Sequence, residues 1–283
     1  MVECSLPKAD VEGSNPFARS FLLIFWADMF RIPALCLIFI SVFVFAAAAD
    51  IPTSSPTDNA VPKVRIALVG DSTVAVQSGW GPGFAACFSD RVEVTDLARN
   101  GRSSMSFMKE GIWKKCLDLK PDYVLIQFGH NDQKLENPAL GTVPDTTYRK
   151  YMIQYVDEAR AAGITPILVT SLSRREWGAD GKVHSTLLAY VDVVKEIAAD
   201  KHVPLIDLHA RSIELYEKLG RQEIDTMSPL KPSTAPSVDP SGKKVMEIDG
   251  THLNAKGSKV IGQLVADELA KTVPALAPYE LKR

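Results

Sequence analysis

Short β-branched runs recur along this chain with helix-like stretches between them, and that alternation narrows the fold more than any other feature. The runs lie at 64–69 (VRIALV), 92–97 (VEVTDL), 123–128 (YVLIQF), 166–171 (PILVTS) and 203–207 (VPLID). Stretches of helical periodicity occupy about 82–90, 106–118, 146–162, 186–201, 209–219 and 254–272. Gly220 closes one of them, Asn254 offers an N-cap to the last, and Pro274 stands just past its end. Strand–helix alternation predicts βαβ units with right-handed crossovers and one doubly wound α/β domain on a parallel sheet. Ligands of such sheets sit at the carboxyl ends of the strands, near the point where strand order reverses. The turns after the strands are therefore where chemistry is sought.

The first 62 residues stand outside this rhythm. Ala34–Ala49 reads ALCLIFISVFVFAAAA, sixteen residues without a charge. A bilayer span needs about 20 apolar residues, whereas roughly 10–14 fit the core of a signal peptide. Arg31 precedes this run, and Ala47, Ala48 and Ala49 fit an A-x-A cleavage site, so Asp50 is the expected start of the mature chain. The expected destination is outside the cytoplasm, secreted or periplasmic. The competing reading is an uncleaved anchor. A signal peptide has a short basic leader, and Met29-Phe30-Arg31 supplies one. Residues 1–28 thus read as over-extension with a true start at Met29, or else as a genuine leader. Residues 50–62, with Pro52, Pro56 and Pro62, read as a linker. The catalytic domain is placed at 63–283.

Apolar residues are 46% and charged residues 23%, which excludes wholesale disorder. The net charge is −2. Removing residues 1–49 takes away three basic and four acidic side chains and leaves 234 residues with 29 basic against 30 acidic. A near-neutral chain has no global attraction for nucleic acid, and after cleavage no stable membrane partner is expected. The apolar leader raises the mean hydropathy to +0.01. Cys87 and Cys116 remain in the mature part, either as a disulfide or as two buried thiols. Residues 221–248, with Pro229, Pro232, Pro236 and Pro240, read as one long structureless loop forming a wall or lid before Asp249.

Gly70-Asp71-Ser72-Thr73 follows the first strand, which places Ser72 at the sheet's carboxyl edge. Taken alone, a serine there is an ordinary N-cap. Asp249-Gly250-Thr251-His252 precedes the last helix, and alone it reads as a surface turn. Together they supply a nucleophile, a base and a carboxylate to fix the imidazole tautomer. Acyl transfer also needs donors aimed at a developing oxyanion. Gly101, in Asn100-Gly101-Arg102-Ser103, offers a bare backbone N–H. Asn131, in Phe128-Gly129-His130-Asn131-Asp132, offers a side-chain amide.

The blocks GDST, NGRS, FGHND and DGTH, in this order over about Lys63 to Val273, resemble those of the SGNH (GDSL-type) hydrolase superfamily. Gly79-Trp80-Gly81, GRSSMSF at 101–107 and GHND are most like the rhamnogalacturonan acetylesterase family. That resemblance implies a three-layer α/β/α sandwich on a flavodoxin-like five-stranded parallel sheet. It also implies hydrolysis of O-acetyl esters on pectic sugars. Ser72 would be the nucleophile, Asp249 and His252 the rest of the triad, and the Ser72 amide, Gly101 and Asn131 the oxyanion hole. One departure is Asp96, where the family often carries Asn. No metal or cofactor is implied.

Substrate contacts are sought at Trp80 and Trp177 as flat faces for sugar rings, and at His130 beside Asn131. Arg174 and Arg175, past the fourth strand, are either a solvated basic pair or a fork for a uronate carboxylate. His184 is a further candidate at the cleft border, while His202 and His209 read as structural. No histidine pair has the helix-face spacing of a metal site. Three functions compete. The first is an esterase acting on acetylated pectin or another polysaccharide such as xylan. The second is a lipid-acyl esterase or lysophospholipase. The third is a silent sugar-binding module, against which the intact Ser72, Asp249 and His252 argue.

Overall fold

The computed structural model describes residues 63–233 and 242–281. The expected signal segment, the start at Met29 and the linker at 50–62 all lie outside them. Five strands form the central sheet: β1 (Val64–Gly70), β2 (Val92–Asp96), β3 (Tyr123–Gln127), β4 (Thr165–Val169) and β5 (Leu205–Ile206). Their order is β2-β1-β3-β4-β5 and every pairing is parallel. This is the flavodoxin-like arrangement, with its switch point between β1 and β3.

Side chains alternate across the sheet because the strand period is two. Ile66 and Leu68 of β1, Leu125 of β3 and Ile167 of β4 face one layer. Ala67 and Val69, Val124 and Ile126, and Leu168 face the other. Two helices of the first layer are α1 (Gly81–Ala85) and α8 (Ala255–Thr272). Helix α8 presents Ile261, Val265 and Leu269 at four-residue spacing, which gives one apolar stripe. The second layer includes α4 (Arg149–Ala161) and α5 (Leu188–Asp200), which bury Met152, Tyr155, Val156 and Val194, Ile197. Cys87 lies in the first layer and Cys116 in the second, so the two sulfurs are not bonded to each other. Burial pushes the Cys116 thiol up to about 12.

Two expectations change. The stretch 106–118 is two helices, α2 (Ser104–Lys109) and α3 (Ile112–Leu119), separated at Gly111, whose φ of 73° suits glycine alone. Residues 221–248 are not structureless. After α6 (Leu208–Leu219) come α7 (Arg221–Asp225) and an antiparallel ribbon of β6 (Leu230–Pro232) and β7 (Met246–Ile248). In this two-stranded ribbon Pro232 sits at a strand end, where a missing donor is tolerated. The Asp249 N–H then bonds the Pro229 carbonyl at 2.9 Å. The ribbon therefore delivers Asp249 directly.

Candidate active site

Ser72 is presented by a turn that is held from below. The Asp71 Oδ1 accepts the Thr73 N–H and the Thr73 hydroxyl, both at 2.8 Å. Gln127, on β3, donates to Thr73 Oγ1 at 2.6 Å and accepts the Trp80 indole N–H at 2.9 Å. The Asp71 carboxylate is fully buried, and its Oδ2 faces His130 Nδ1 at 3.5 Å. Burial acts to raise its pKa, but the His130 ring and the Thr73 bonds outweigh it and hold Asp71 below the usual carboxylate range.

His252 reaches Ser72 from the other end of the chain. Its Nε2 lies 2.9 Å from Ser72 Oγ and its Nδ1 2.8 Å from Asp249 Oδ2. The Asp249 Oδ1 accepts the backbone N–H of Thr251 at 2.8 Å and of His252 at 3.1 Å. Burial again pushes the carboxyl up, yet the His252 ring bond and these two amides bring Asp249 below its ordinary value. The carboxylate is thus pre-ionised and aimed, as a base-orienting group must be.

The other side of the cleft carries the donors. Gly101 turns at φ 75°, with open space where a side chain would stand. The backbone N–H groups of Ser72 and Gly101 bond no other described group. Asn131 donates from Nδ2 to the Arg102 carbonyl at 3.0 Å and accepts Lys134 Nζ on Oδ1 at 2.8 Å. The amide is therefore fixed in one orientation, and its second N–H remains for a ligand. Asp132 anchors this loop. It accepts the Ser104 N–H at the start of α2, the Thr142 hydroxyl at 2.8 Å and the Gly129 N–H at 3.1 Å. Burial pushes Asp132 up to about 6 despite these donors. Ser72, Asn100, Gly101, His130, Asn131, Lys134, Arg174, Thr251 and His252 line one cleft of about 370 Å³.

The structure brings together Ser72, Asp249, His252, Gly101, Asn131, His130 and Arg174, and places Trp80, Arg175, Trp177 and His184 away from this cleft. Trp80 is fully buried, with its indole on Gln127 and its ring edge-on to Phe84, so it is core and not a sugar platform. Arg175 is buried beneath the triad loop. Its Nε donates to Ser228 Oγ at 2.9 Å and its Nη2 to the Asp249 carbonyl at 2.9 Å and the His252 carbonyl. Arg175 is a brace and has no face for substrate. Trp177 packs against the core. His184 is exposed on Asp180 and lines no part of this cleft. His209 is buried, with Nδ1 on the Ser171 carbonyl at 2.9 Å. Sequence reasoning passed over Asp71, Asp132 and Lys134, although the first two stand inside the quoted GDST and FGHND blocks. Among the described residues no group of three His, Cys, Asp or Glu is placed to hold a metal ion.

A hydroxyl, an imidazole and a carboxylate chained at 2.9 and 2.8 Å, at the carboxyl edge of a 2-1-3-4-5 sheet, have the geometry of a serine-hydrolase centre. The chain belongs to the GDSL-like lipase/acylhydrolase family, whose model matches residues 68–260. It is accordingly a carboxylic ester hydrolase, and the expected superfamily is borne out. It is 36% identical over 214 residues to the rhamnogalacturonan acetylesterase RhgT of Bacillus subtilis (strain 168), covering 72% of this chain and 88% of that one. It is 28% identical over 229 residues to a rhamnogalacturonan acetylesterase of Emericella nidulans, covering 74% and 84%. Among solved structures, protein YxiM of Bacillus subtilis superposes with a TM-score of 0.62 at 22% identity, over 75% of this chain and 57% of that longer one. A catalytic mutant of Axe2, an acetylxylan esterase from Geobacillus stearothermophilus, gives 0.52 at 16% identity, over 75% and 94%. These two likenesses concern the fold.

Proposed function

We propose that the protein is a secreted carbohydrate acetylesterase that removes O-acetyl groups from a plant-type polysaccharide, rhamnogalacturonan in particular. The observation that carries this reading is the Ser72–His252–Asp249 chain opening onto a cleft whose lining residues, Gly101 apart, all carry a polar side chain. The names of the relatives support the acetylated carbohydrate. In this reading His252 Nε2 takes the Ser72 proton as Oγ attacks the acetyl carbonyl carbon. The oxyanion accepts the N–H groups of Ser72, Gly101 and Asn131 Nδ2. His252 protonates the departing sugar hydroxyl, leaving an acetyl-Ser72 ester. Water, deprotonated by the same imidazole, attacks that ester, and acetate leaves as Ser72 regains its proton.

The test is acetate release from acetylated rhamnogalacturonan, xylan and mannan fragments, with Ser72→Ala as control. The expected result is fastest release from the rhamnogalacturonan fragments and none from the variant. Undiminished activity in Ser72→Ala overturns the mechanism, and a preference for long-acyl glycerides or lysophospholipids overturns the substrate. Export forms part of the proposal. N-terminal sequencing of the extracellular protein should begin at Asp50, and retention of the Ala34–Ala49 segment on the active form would refute cleavage.

A further inference from the structure

Gly101 is preceded by Asn100, the one asparagine of the chain that is followed by glycine. In such a pair the glycine backbone nitrogen can attack the asparagine side-chain carbonyl carbon, because no Cβ stands in the way. The surroundings leave this route open. Asn100 and Gly101 are both exposed, and nothing lies within 4 Å of where a Cβ on Gly101 would stand. They form the tip of a turn closed by one long backbone bond, from the Arg102 N–H to the Arg99 carbonyl at 3.3 Å. Among the described residues the Asn100 side chain has one bond, from the Ser78 hydroxyl to Oδ1 at 3.2 Å, and that hydroxyl also serves the Ser72 carbonyl at 2.8 Å. The other asparagines of the described residues differ. Asn131 is buried with both ends of its amide bonded. Asn254 is held at the start of α8, where Nδ2 donates to the Thr226 and Ser228 carbonyls. Asn137 precedes Pro138, which has no N–H to lose.

Arg102 activates the pair. Its Nη1 donates to the Asn100 carbonyl at 3.0 Å, while its Nε holds Glu110. That carbonyl and the Gly101 N–H belong to one peptide unit. A guanidinium on its oxygen stabilises the negative charge that spreads there when the nitrogen loses its proton. The same bond strengthens the Gly101 N–H as a donor, which suits it to a developing oxyanion. We infer that Asn100–Gly101 is a self-modification site, and that its reaction consumes an oxyanion donor and silences the enzyme. This rests on the reading of Gly101 as a donor. Hydroxide removes the Gly101 amide proton, and the nitrogen attacks Asn100 Cγ. The Cγ–Nδ2 bond breaks, and the amide nitrogen leaves as ammonia after taking a proton from water, which restores the hydroxide. The product is a cyclic imide in which the Gly101 nitrogen carries no hydrogen. Water then opens either carbonyl of the ring. One opening leaves an ordinary aspartate at position 100, and the other an isoaspartyl linkage with an extra methylene in the backbone. The imide lacks the donor, and the isoaspartyl backbone displaces it.

The experiment incubates the purified protein in mildly alkaline buffer and follows isoaspartate at position 100 by peptide mapping alongside kcat on an aryl acetate. The two should change in step. The isoaspartyl fraction, separated by anion exchange on its added negative charge, should show a kcat lower by about 10²–10³, the usual cost of a lost oxyanion donor. Its melting midpoint should stay close to that of the starting protein, which separates this loss from unfolding. Asn100→Gln keeps the amide but would have to close a larger ring. Measured against its own starting rate, it should hold its activity over an incubation that silences most of the wild type. Asn100→Asp adds the carboxylate without lengthening the backbone, and should be faster than the isoaspartyl fraction. Asn100→Gln decaying as fast as the wild type, or position 100 staying asparagine while activity falls, overturns the site and leaves Gly101 standing as a donor. Asn100→Asp as slow as the isoaspartyl fraction assigns the loss to charge and overturns the consumption of the donor. Isoaspartate forming at full activity would instead remove Gly101 from the oxyanion hole, a failure of the reading beneath.

Discussion

Asn131 has its carbonyl oxygen on Lys134 and one amide hydrogen on the Arg102 carbonyl, so only one orientation and one free donor remain. Asn131→Ala should lower kcat on an aryl acetate by about 10²–10³, the usual cost of a lost oxyanion donor, with a much smaller change in KM. Steady-state kinetics read this, and an unchanged kcat would remove Asn131 from the oxyanion hole. Asp249→Asn should cost roughly 10⁴, because an amide beside Nδ1 favours the wrong imidazole tautomer. Asp249 also contributes to stability. Its pKa is lowered in the fold, so its contribution is present above the unfolded carboxylate value and lost as pH falls through the lower folded one. Ser72, Gly101, Asn131, Asp249 and His252, the proposed triad and oxyanion donors, were legible as blocks because each sits in a turn after a strand or before a helix. Arg174 and Arg175 were legible only as a pair. Neighbouring side chains of an extended segment point opposite ways, so one faces the cleft and the other braces the loop behind it.

At the scale of elements, α1 and α8 touch through glycine. A Cβ on Gly83 would lie 1.9 Å from the Ser258 carbonyl oxygen, and one on Gly262 would lie 2.2 Å from the Phe84 nitrogen. Gly83→Ala should therefore force the two helices apart and cost about 1–3 kcal/mol. A thermal melt reads this, and an unchanged midpoint would show that the contact yields freely. The end of β2 makes the opposite prediction. Asp96 bonds the Ala98 N–H at 2.9 Å through Oδ1, while Oδ2 is buried without a partner against Gly81, and burial pushes the carboxyl up to about 6. A raised carboxyl binds its proton more tightly folded than unfolded, so stability falls as pH rises through the window from about 4 to 6 and stays lower above it. Asp96→Asn should recover roughly 1–3 kcal/mol at pH 7.5 and nothing at pH 3.5. Equal gains at both values would assign the effect to packing. The helix periods and β-branched runs made the main elements readable. The β6–β7 ribbon was not readable, because four prolines and few strand formers look like loop until their pairing is seen.

Across the described residues, the parallel sheet divides the interior into two apolar layers, and Cys87 and Cys116 fall one in each. Non-reducing peptide mapping should recover no fragment linking Cys87 to Cys116, and such a fragment would contradict the layer assignment. The alternation of strands and helices specified this architecture because a βαβ unit has one favoured hand. Trp80 was misread for a related reason: an aromatic beside a catalytic turn has the same composition whether it faces solvent or the layer beneath. The long reach between Ser72 and His252, separated by 180 positions, has a consequence for the order of events during synthesis. A ribosome completes the strand, the nucleophile turn and both oxyanion blocks well before the base emerges. On the proposed mechanism, no emerging chain can cleave an ester until His252 has left the exit tunnel and reached Ser72. Hydrolytic capacity on that mechanism arrives only when the base joins the nucleophile, and a product stalled or clipped before Asp249 is born silent.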